Sequence, residues 1–358
     1  MIRHRGGGRG RRQAWQLRPI FWGVGPPLMP RAGRMIAYNF FAAYWRGTRV
    51  NGPILNIERL KGPRVEPIAQ AKGRPLWSVM IPAFNCAKYL RPCLESVLAQ
   101  NWGNDRMEVE VVDDCSTEDD PEAVVRDLGP GRIKFHRKSR NEGVTANFNT
   151  CVQRSSGALV HILHGDDYVL PEFYRKMEDL AQCHPAVSFF HARGLVIDEA
   201  GHTEAVSPII DSLAKPGNEV APFYYANPFR TAGVVVRRTF YEQHGGFNPN
   251  FVHVADWEMW VRAIFLGTGL CLDEPLATYR SFAGNDTSRL VRTGTNLVDC
   301  LRLADHWVTC GMPGFDLRSF REMISTGAAI WAEVFRKSGD AEAQSAYLRL
   351  CEEMAAAS

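Results

Sequence analysis

The 358-residue chain is predicted to be an α/β protein with a mostly parallel central sheet and a helical C-terminal extension. Three observations carry this. From residue 76 onward, short apolar strands alternate with amphipathic helices in β-α-β-α-β-α-β order, the pattern of a parallel sheet covered on both faces. Aspartate pairs stand just past the second and the fourth strand. Beyond about residue 295 the apolar periodicity is helical only. The expected division is a basic tail with a short helix over 1–74, an α/β domain over 75–288 and a helical extension over 289–358.

Leu76 to Ile81 (L-W-S-V-M-I) reads as a buried strand ended by Pro82. A helix follows over Ala87 to Gln100, with Leu90, Leu94, Val97 and Leu98 on one face and Pro92 placed in about the first turn. Met107 to Val112 is the second strand, Pro121 to Leu128 a short helix, and Arg132 to His136 the third strand. R-N-E-G then leads into a helix over Val144 to Gln153. Ala158 to Leu163 is the fourth strand, and Pro171 opens a helix with Phe173, Met177 and Leu180 inward. Later segments read as strands at Ala186 to His191 and Gly194 to Asp198 around a turn, at Thr231 to Val236 and at Cys271 to Arg280. Asp256 to Leu266 is a Trp-rich helix. Leu297, Leu301 and Leu303 begin another, and two more cover Phe320 to Lys337 and Ala341 to Ala355.

The net charge of +3 hides an asymmetry. Residues 1–75 hold 15 Lys and Arg against 2 Asp and Glu, so the remainder is acidic and a global nucleic-acid-binding reading fails. The first 34 residues, rich in Gly, Pro and Arg, cannot bury enough apolar surface to offset their ordering entropy, and read as an unstructured extension. Peripheral contact with anionic lipid through this basic segment, or with RNA, is the alternative. Residues 35–48 read as a short aromatic amphipathic helix. No stretch approaches the roughly 20 apolar residues of a membrane span. Nine cysteines without a C-x-x-C pair read as buried thiols of a reduced, cytoplasmic protein.

The chemistry is carried by carboxylates where open α/β sheets bind ligands, past the carboxyl ends of strands. Asp113 and Asp114 follow the second strand, Asp166 and Asp167 the fourth, and Asp256 follows the G-G-F-N-P-N-F connection. Singly, each reads as well as a turn former or helix cap. Converging on one crevice they repel, and a hard divalent cation, Mg²⁺ or Mn²⁺, removes the conflict. Mg²⁺ binds through one or two carboxylates plus substrate phosphates, which points to a nucleoside diphosphate.

The series S-V-M-I-P-A-F-N, V-V-D-D-C-S-T, N-E-G, H-G-D-D and A-D-W-E-M-W resembles the ordered motifs of family 2 glycosyltransferases, which have the GT-A fold, over about residues 76–288. The resemblance implies that Pro82, Ala83, Phe84 and Asn85 line the nucleobase. It implies that Asp113 accepts from the base with Asp114 in support, and that Asn141 and Gly143 belong to a loop beside the nucleotide. Asp166 is implied at the ribose or a metal water, and Asp167 as the direct metal ligand. Asp256 is the implied general base, with Glu258 as rival. His164 stands where many relatives have a further Asp, and Y-R-S-F (Tyr279 to Phe282) where many have Y-R-x-H, leaving Arg280 to face the phosphates or to sit in a salt bridge.

The implied reaction is inverting, metal-dependent transfer of a hexosyl-type sugar from a nucleotide-sugar, a UDP-sugar first, to the hydroxyl of a glycan or lipid-linked acceptor in surface polysaccharide or glycoconjugate synthesis. A nucleotidyltransferase is the runner-up, although P-A-F-N-C-A-K offers no basic Gly-rich phosphate loop. A catalytically silent nucleotide-sugar-binding scaffold is the third reading. A dinucleotide-binding enzyme is disfavoured, since no G-x-G-x-x-G follows a strand.

Overall fold

The computed structural model describes residues 55–68, 73–100, 103–129 and 131–356. The expected basic tail over 1–34 and the helix over 35–48 lie outside the described residues. The strands are β1 (Trp77–Ala83), β2 (Met107–Asp113), β3 (Lys134–Arg137), β4 (Leu159–Ile162), β5 (Phe189–Ile197), β6 (Thr203–Val206), β7 (Val234–Arg237) and β8 (Gly269–Arg280). The α-helices are α1 (Ile57–Leu60), α2 (Ala87–Leu98), α3 (Pro121–Leu128), α4 (Val144–Arg154), α5 (Phe173–Cys183), α6 (Arg238–His244), α7 (Ala255–Gly267), α8 (Asp286–Arg292), α9 (Thr295–Cys310), α10 (Leu317–Ser338) and α11 (Ala341–Ala356).

Among the described residues all eight strands join one sheet in the order β3-β2-β1-β4-β7-β5-β6, with β8 on the other edge of β5. β1, β2, β3 and β4 pair in parallel. β7 is antiparallel to both β4 and β5, so β5 and its parallel partner β8 point the same way as β1 to β4. Only β6 and β7 run against the rest. The mostly parallel sheet is therefore confirmed, and its carboxyl edge gathers the ends of β1, β2, β4 and β8 with the amino end of β7.

Successive strand residues face opposite sides. Trp77, Val79 and Ile81 of β1 pack in one apolar cluster with Leu90, Cys93, Leu94 and Val97 of α2 and Phe173 and Met177 of α5. Met80, Val160 and Ile162 belong to the opposite cluster, with Phe148 and Val152 of α4, Trp257, Trp260 and Ile264 of α7, and residues of α9 to α11. The C-terminal helices thus share the core of the α/β part: Trp307 of α9 lies edge to face with Trp257 of α7 at 5.8 Å, and Phe320 of α10 lies 6.3 Å from the same ring.

Several boundaries differ from expectation. The two strands expected over 186–198 are one, β5, with bulges at Ala192 to Gly194 in place of the turn. Thr231 to Gly233 form a 3-10 turn, and the strand begins at Val234. Pro171 precedes α5 by two residues, so it ends the approach to the helix and does not occupy its first position. Pro92 is the sixth residue of α2, past the first turn, on its exposed side. β1 continues through Pro82 to Ala83. Strand β6 and helices α1, α6 and α8 were not foreseen.

Candidate functional site

The nucleotide-side residues come together at the ends of β1 and β2. Asn85 takes a left-handed backbone, φ 47°, which asparagine tolerates better than most residues. Its N–H donates to Ser116 Oγ at 2.8 Å, and its side-chain oxygen accepts from the backbone of Thr117 at 2.9 Å and Glu118 at 3.2 Å. Asn85 therefore fastens the two loops to each other. Phe84 beside it is 46% exposed and so lies outside the core; Pro82 and Ala83 are buried in the strand.

Asp113 is fully buried at the end of β2. It accepts from the backbone N–H and hydroxyl of Ser116 and from Arg137 Nε at 2.7 Å. A nucleobase would have to share oxygens that already carry partners, though a carboxylate offers about four lone-pair positions. Asp114 holds the N-E-G loop: it accepts from the backbone of Glu142 at 3.1 Å and Gly143 at 2.8 Å, and pairs with Lys138 at 2.9 Å. Asn141 is exposed and caps Gly143 N–H at 3.1 Å; Gly143 has φ 88°, where a side chain would be strained. Asp114→Ala is expected to loosen this loop, seen as faster amide exchange at Glu142 and Gly143. Unchanged exchange would contradict the tie.

The ligand atoms of His164, Asp166 and Asp167 lie within 4.8 Å of one another past β4. His164 stacks flat on Phe148, ring centroids 5.3 Å apart, with Nδ1 3.7 Å from Asp167 Oδ2. Its Nε2 is sealed from solvent without a hydrogen-bond partner among the described residues. Burial pushes the imidazole pKa down, which keeps it neutral and a competent metal ligand. Burial pushes both carboxyls up, and Asp167 is raised further by the charge of Asp166. One Asp167 oxygen accepts from Arg280 N–H at 2.7 Å, so the other faces His164. An imidazole and two carboxylates that disfavour each other's charge fit a divalent cation.

Arg280 does not face open space for phosphates, nor does it form a surface salt bridge. Its guanidinium donates to the carbonyls of Asp166 at 2.9 Å, Asp198 at 3.1 Å and Glu199 at 2.8 Å, and lies over the Tyr89 ring at 5.0 Å. It clamps the β8 end onto the Asp166–Asp167 turn.

Asp256 is the second residue of α7, not its cap, which is Val254. One oxygen accepts from Trp257 N–H at 2.7 Å, and the other from Asn227 Nδ2 at 3.2 Å and Thr231 Oγ1 at 3.4 Å. Burial pushes its pKa up, while His253, His164 and Arg230 pull it back. His164 in turn feels the Asp256 charge, so the proposed base lies within electrostatic reach of the metal group. Glu258 is elsewhere. It is 1% exposed and pairs bidentately with Arg262 at 2.9 Å, and Arg262 also holds the carbonyls of His244 and Gly246.

Asn227, Arg230, Thr231, His253 and Asp286 were missed. Asp286, the first residue of α8, bears electrostatically on His164, Asp166 and His253. N-P-F-R-T lies at the amino end of β7, and only the reversed direction of that strand brings it to this edge. With β7 taken as antiparallel, the sequence would have pointed to it.

Residues 78–245 match the family model described as Glycosyl transferase family 2. An uncharacterized protein of Mycobacterium tuberculosis (strain CDC 1551 / Oshkosh) is 26% identical over 277 residues, 72% of this chain and 81% of its own. Among solved structures, residues 1–349 of S. aureus TarS, in complex with UDP-GlcNAc, align with TM-score 0.51 at 18% identity over 70% of each chain. The mannosyltransferase PcManGT from Pyrobaculum calidifontis, in complex with GDP-Man and Mn²⁺, aligns with TM-score 0.50 at 18% identity over 83% of this chain and 89% of its own. At these identities the structural likeness is one of fold, GT-A. Among the described residues no helix is long and apolar enough to cross a membrane, and all nine cysteines are free thiols.

Proposed function

We propose, for a chain that belongs through residues 78–245 to glycosyl transferase family 2, that it transfers a hexosyl-type sugar from a nucleotide-sugar to an acceptor hydroxyl with inversion at the anomeric carbon. The observation that carries this reading is the His164, Asp166 and Asp167 group at the carboxyl edge of the sheet, within electrostatic reach of the buried Asp256 carboxylate. UDP-sugars and GDP-sugars are the donors to test, since the similar structures hold UDP-GlcNAc and GDP-Man. Glycan or lipid-linked acceptors are the first class to try. The proposed division is an N-terminal segment over 1–74, whose residues 55–68 pack on the domain through the buried Leu60 and Val65, a transferase domain over 75–288 and a helical extension over 289–358. The proposed setting is cytoplasmic, with the basic N-terminal segment as a peripheral membrane contact.

The nucleotide lies along the edge. Its base sits by Pro82 to Asn85, Asp113 and Asp114, the Asn141–Gly143 loop lies alongside, and Asp166 stands at the ribose. Asp167, with Asp166 and His164, would hold Mg²⁺ or Mn²⁺, which would neutralise charge on the departing phosphates. The acceptor oxygen attacks the anomeric carbon and its proton passes to Asp256. The bond from that carbon to the β-phosphate oxygen breaks, and the electron pair leaves with the nucleoside diphosphate. One such displacement inverts the centre. Asp256 acts as base only when ionised and its pKa is raised, so turnover is expected to be full above that pKa and to fall as pH drops through it. A pH–rate profile at saturating Mn²⁺ checks this; turnover that rises on acidification would contradict it.

A thermal-shift screen of UDP- and GDP-sugars with and without Mn²⁺ tests the reading, because a ligand of the native state raises apparent stability. Metal-dependent stabilisation by one nucleotide series is expected; none with any donor would refute it. Asp167→Asn supplies a sharper readout. The folded pKa of Asp167 is raised, so its charge costs stability increasingly as pH rises through that pKa. Asparagine keeps an acceptor for Arg280 N–H. The variant without metal is expected to melt a few degrees higher at neutral pH and to lose the Mn²⁺-dependent shift. A lower melting point with the Mn²⁺ response intact would make Asp167 a structural residue.

A further inference from the structure

Arg230 stands just before the 3-10 turn Thr231–Gly233, at the amino end of β7. The antiparallel run of β7 therefore delivers it to the same edge as Asp167 and Asp256. Its guanidinium lies 5.3 Å from the centre of the Tyr279 ring. Burial disfavours its charge, and the carboxylates of Asp256 and Asp167 favour it. Its Nε is sealed from solvent and makes no hydrogen bond among the described residues. The neighbouring arginines are otherwise engaged. Arg280 is spent on three carbonyls, Arg237 on those of Ala181, His184 and Val187, and Arg238 on Ser155 and Glu242. A half-buried guanidinium with a sealed, unpartnered donor is costly unless an anion completes it.

We infer that Arg230 binds the β-phosphate of the donor and carries the charge that develops on the leaving oxygen when the glycosidic C–O bond breaks. The inference rests on the nucleotide-sugar reading above and adds to it the residue that holds the leaving group. The order of groups along the edge selects the β-phosphate. The base end belongs to the β1 and β2 loops, and Arg230 stands on the other side of β4, at the start of β7, within electrostatic reach of both the metal carboxylate and the proposed base. The phosphate bonded to the sugar is the one that reaches this side. Stacking on Tyr279 fixes the plane of the guanidinium, so its donors are oriented before the donor substrate arrives. The basic residue sought after β8 is thus supplied from the start of β7.

Titration calorimetry in Mn²⁺ with UDP, UMP, GDP and GMP tests this on the wild type, Arg230→Gln and Arg230→Lys. Loss of a charge-assisted phosphate contact is expected to weaken the diphosphate that the wild type binds by about 10–100-fold in Arg230→Gln. The matching monophosphate is expected to change by less than about threefold, and Arg230→Lys to recover part of the loss. The Arg230→Gln protein is expected to melt no lower than wild type, since a half-buried guanidinium with a sealed, unpartnered Nε is removed. Three results overturn the inference: diphosphate affinity unchanged, an equal loss on mono- and diphosphate, or a loss of turnover alone with both affinities kept, which would reduce Arg230 to orienting Asp256. If Arg230→Gln does not fold, Arg230→Lys decides by the same diphosphate-to-monophosphate ratio. A wild type that binds none of the four nucleotides overturns the nucleotide-sugar reading itself, and this inference with it.

Discussion

Asp256→Asn is expected to fold, to bind nucleotide and metal as the wild type does, and to lose about 10²–10⁴-fold in turnover, the range for a positioned general base. The carboxylate is held by Trp257 N–H, Asn227 and Thr231. Asparagine can keep the first of these through its own oxygen, and its amide can meet the Thr231 hydroxyl and a rotated Asn227 side chain. Burial disfavours the charge it replaces, so stability should hold or rise. What disappears is a carboxylate within electrostatic reach of the metal group, mounted on a helix whose Trp257, Trp260 and Ile264 are packed into the core. Thermal melting and single-turnover rates on the same preparation check this. Turnover within about threefold of wild type, small against the general-base range, would return Asp256 to a plain helix-start residue.

Glu258→Ala, two residues along the same helix, is expected to do the opposite: to damage the fold before the chemistry. Glu258 and Arg262 form a bidentate pair that is almost fully buried, with side chains 1% and 0% exposed. Removing one partner of such a pair costs about 3–5 kcal/mol, because the other charge is left buried and uncompensated. Here that charge also anchors the His244–Gly246 turn, which packs against the Gly62–Pro63 backbone closely enough that Gly245 and Gly246 admit no side chain without displacing it or Asn149. A melting point lower by on the order of 10 °C is the expected outcome. A Glu258→Ala protein that melts like wild type and loses turnover would exchange the roles of the two acids.

These neighbours show how much of the molecule could be read from its sequence. Both are acidic residues at the start of one helix, and spacing does not separate them. The separation comes from Arg262, one turn on, which takes Glu258 into the core. The strand-helix alternation over 76–183 was legible because period-2 and period-3.6 patterns alternate cleanly there, and Pro121–Leu128 came out to the residue. Legibility failed where long-range pairing decides. The β5 strand runs through Ala192 to Gly194 on bulges, since β8 pairs along its whole length. The reversed direction of β7, which brings Asn227, Arg230 and Thr231 to the site, leaves no local trace. Asp113 and Asp114 were correctly placed at a strand end, but their carboxylates already hold Ser116, Arg137, Lys138 and the loop backbone. Their positions were legible and their hydrogen-bond partners were not.

The most direct test of the central claim is nucleoside diphosphate release from a panel of UDP- and GDP-sugars by the full-length protein, followed in Mn²⁺ and again after EDTA. Release from one donor series is expected, with loss on chelation, recovery on adding Mn²⁺ back, and loss in Asp256→Asn. Release that is indifferent to EDTA and survives in Asp256→Asn, or no release from any donor that the protein binds, would contradict a metal-assisted transfer run from this edge of the sheet.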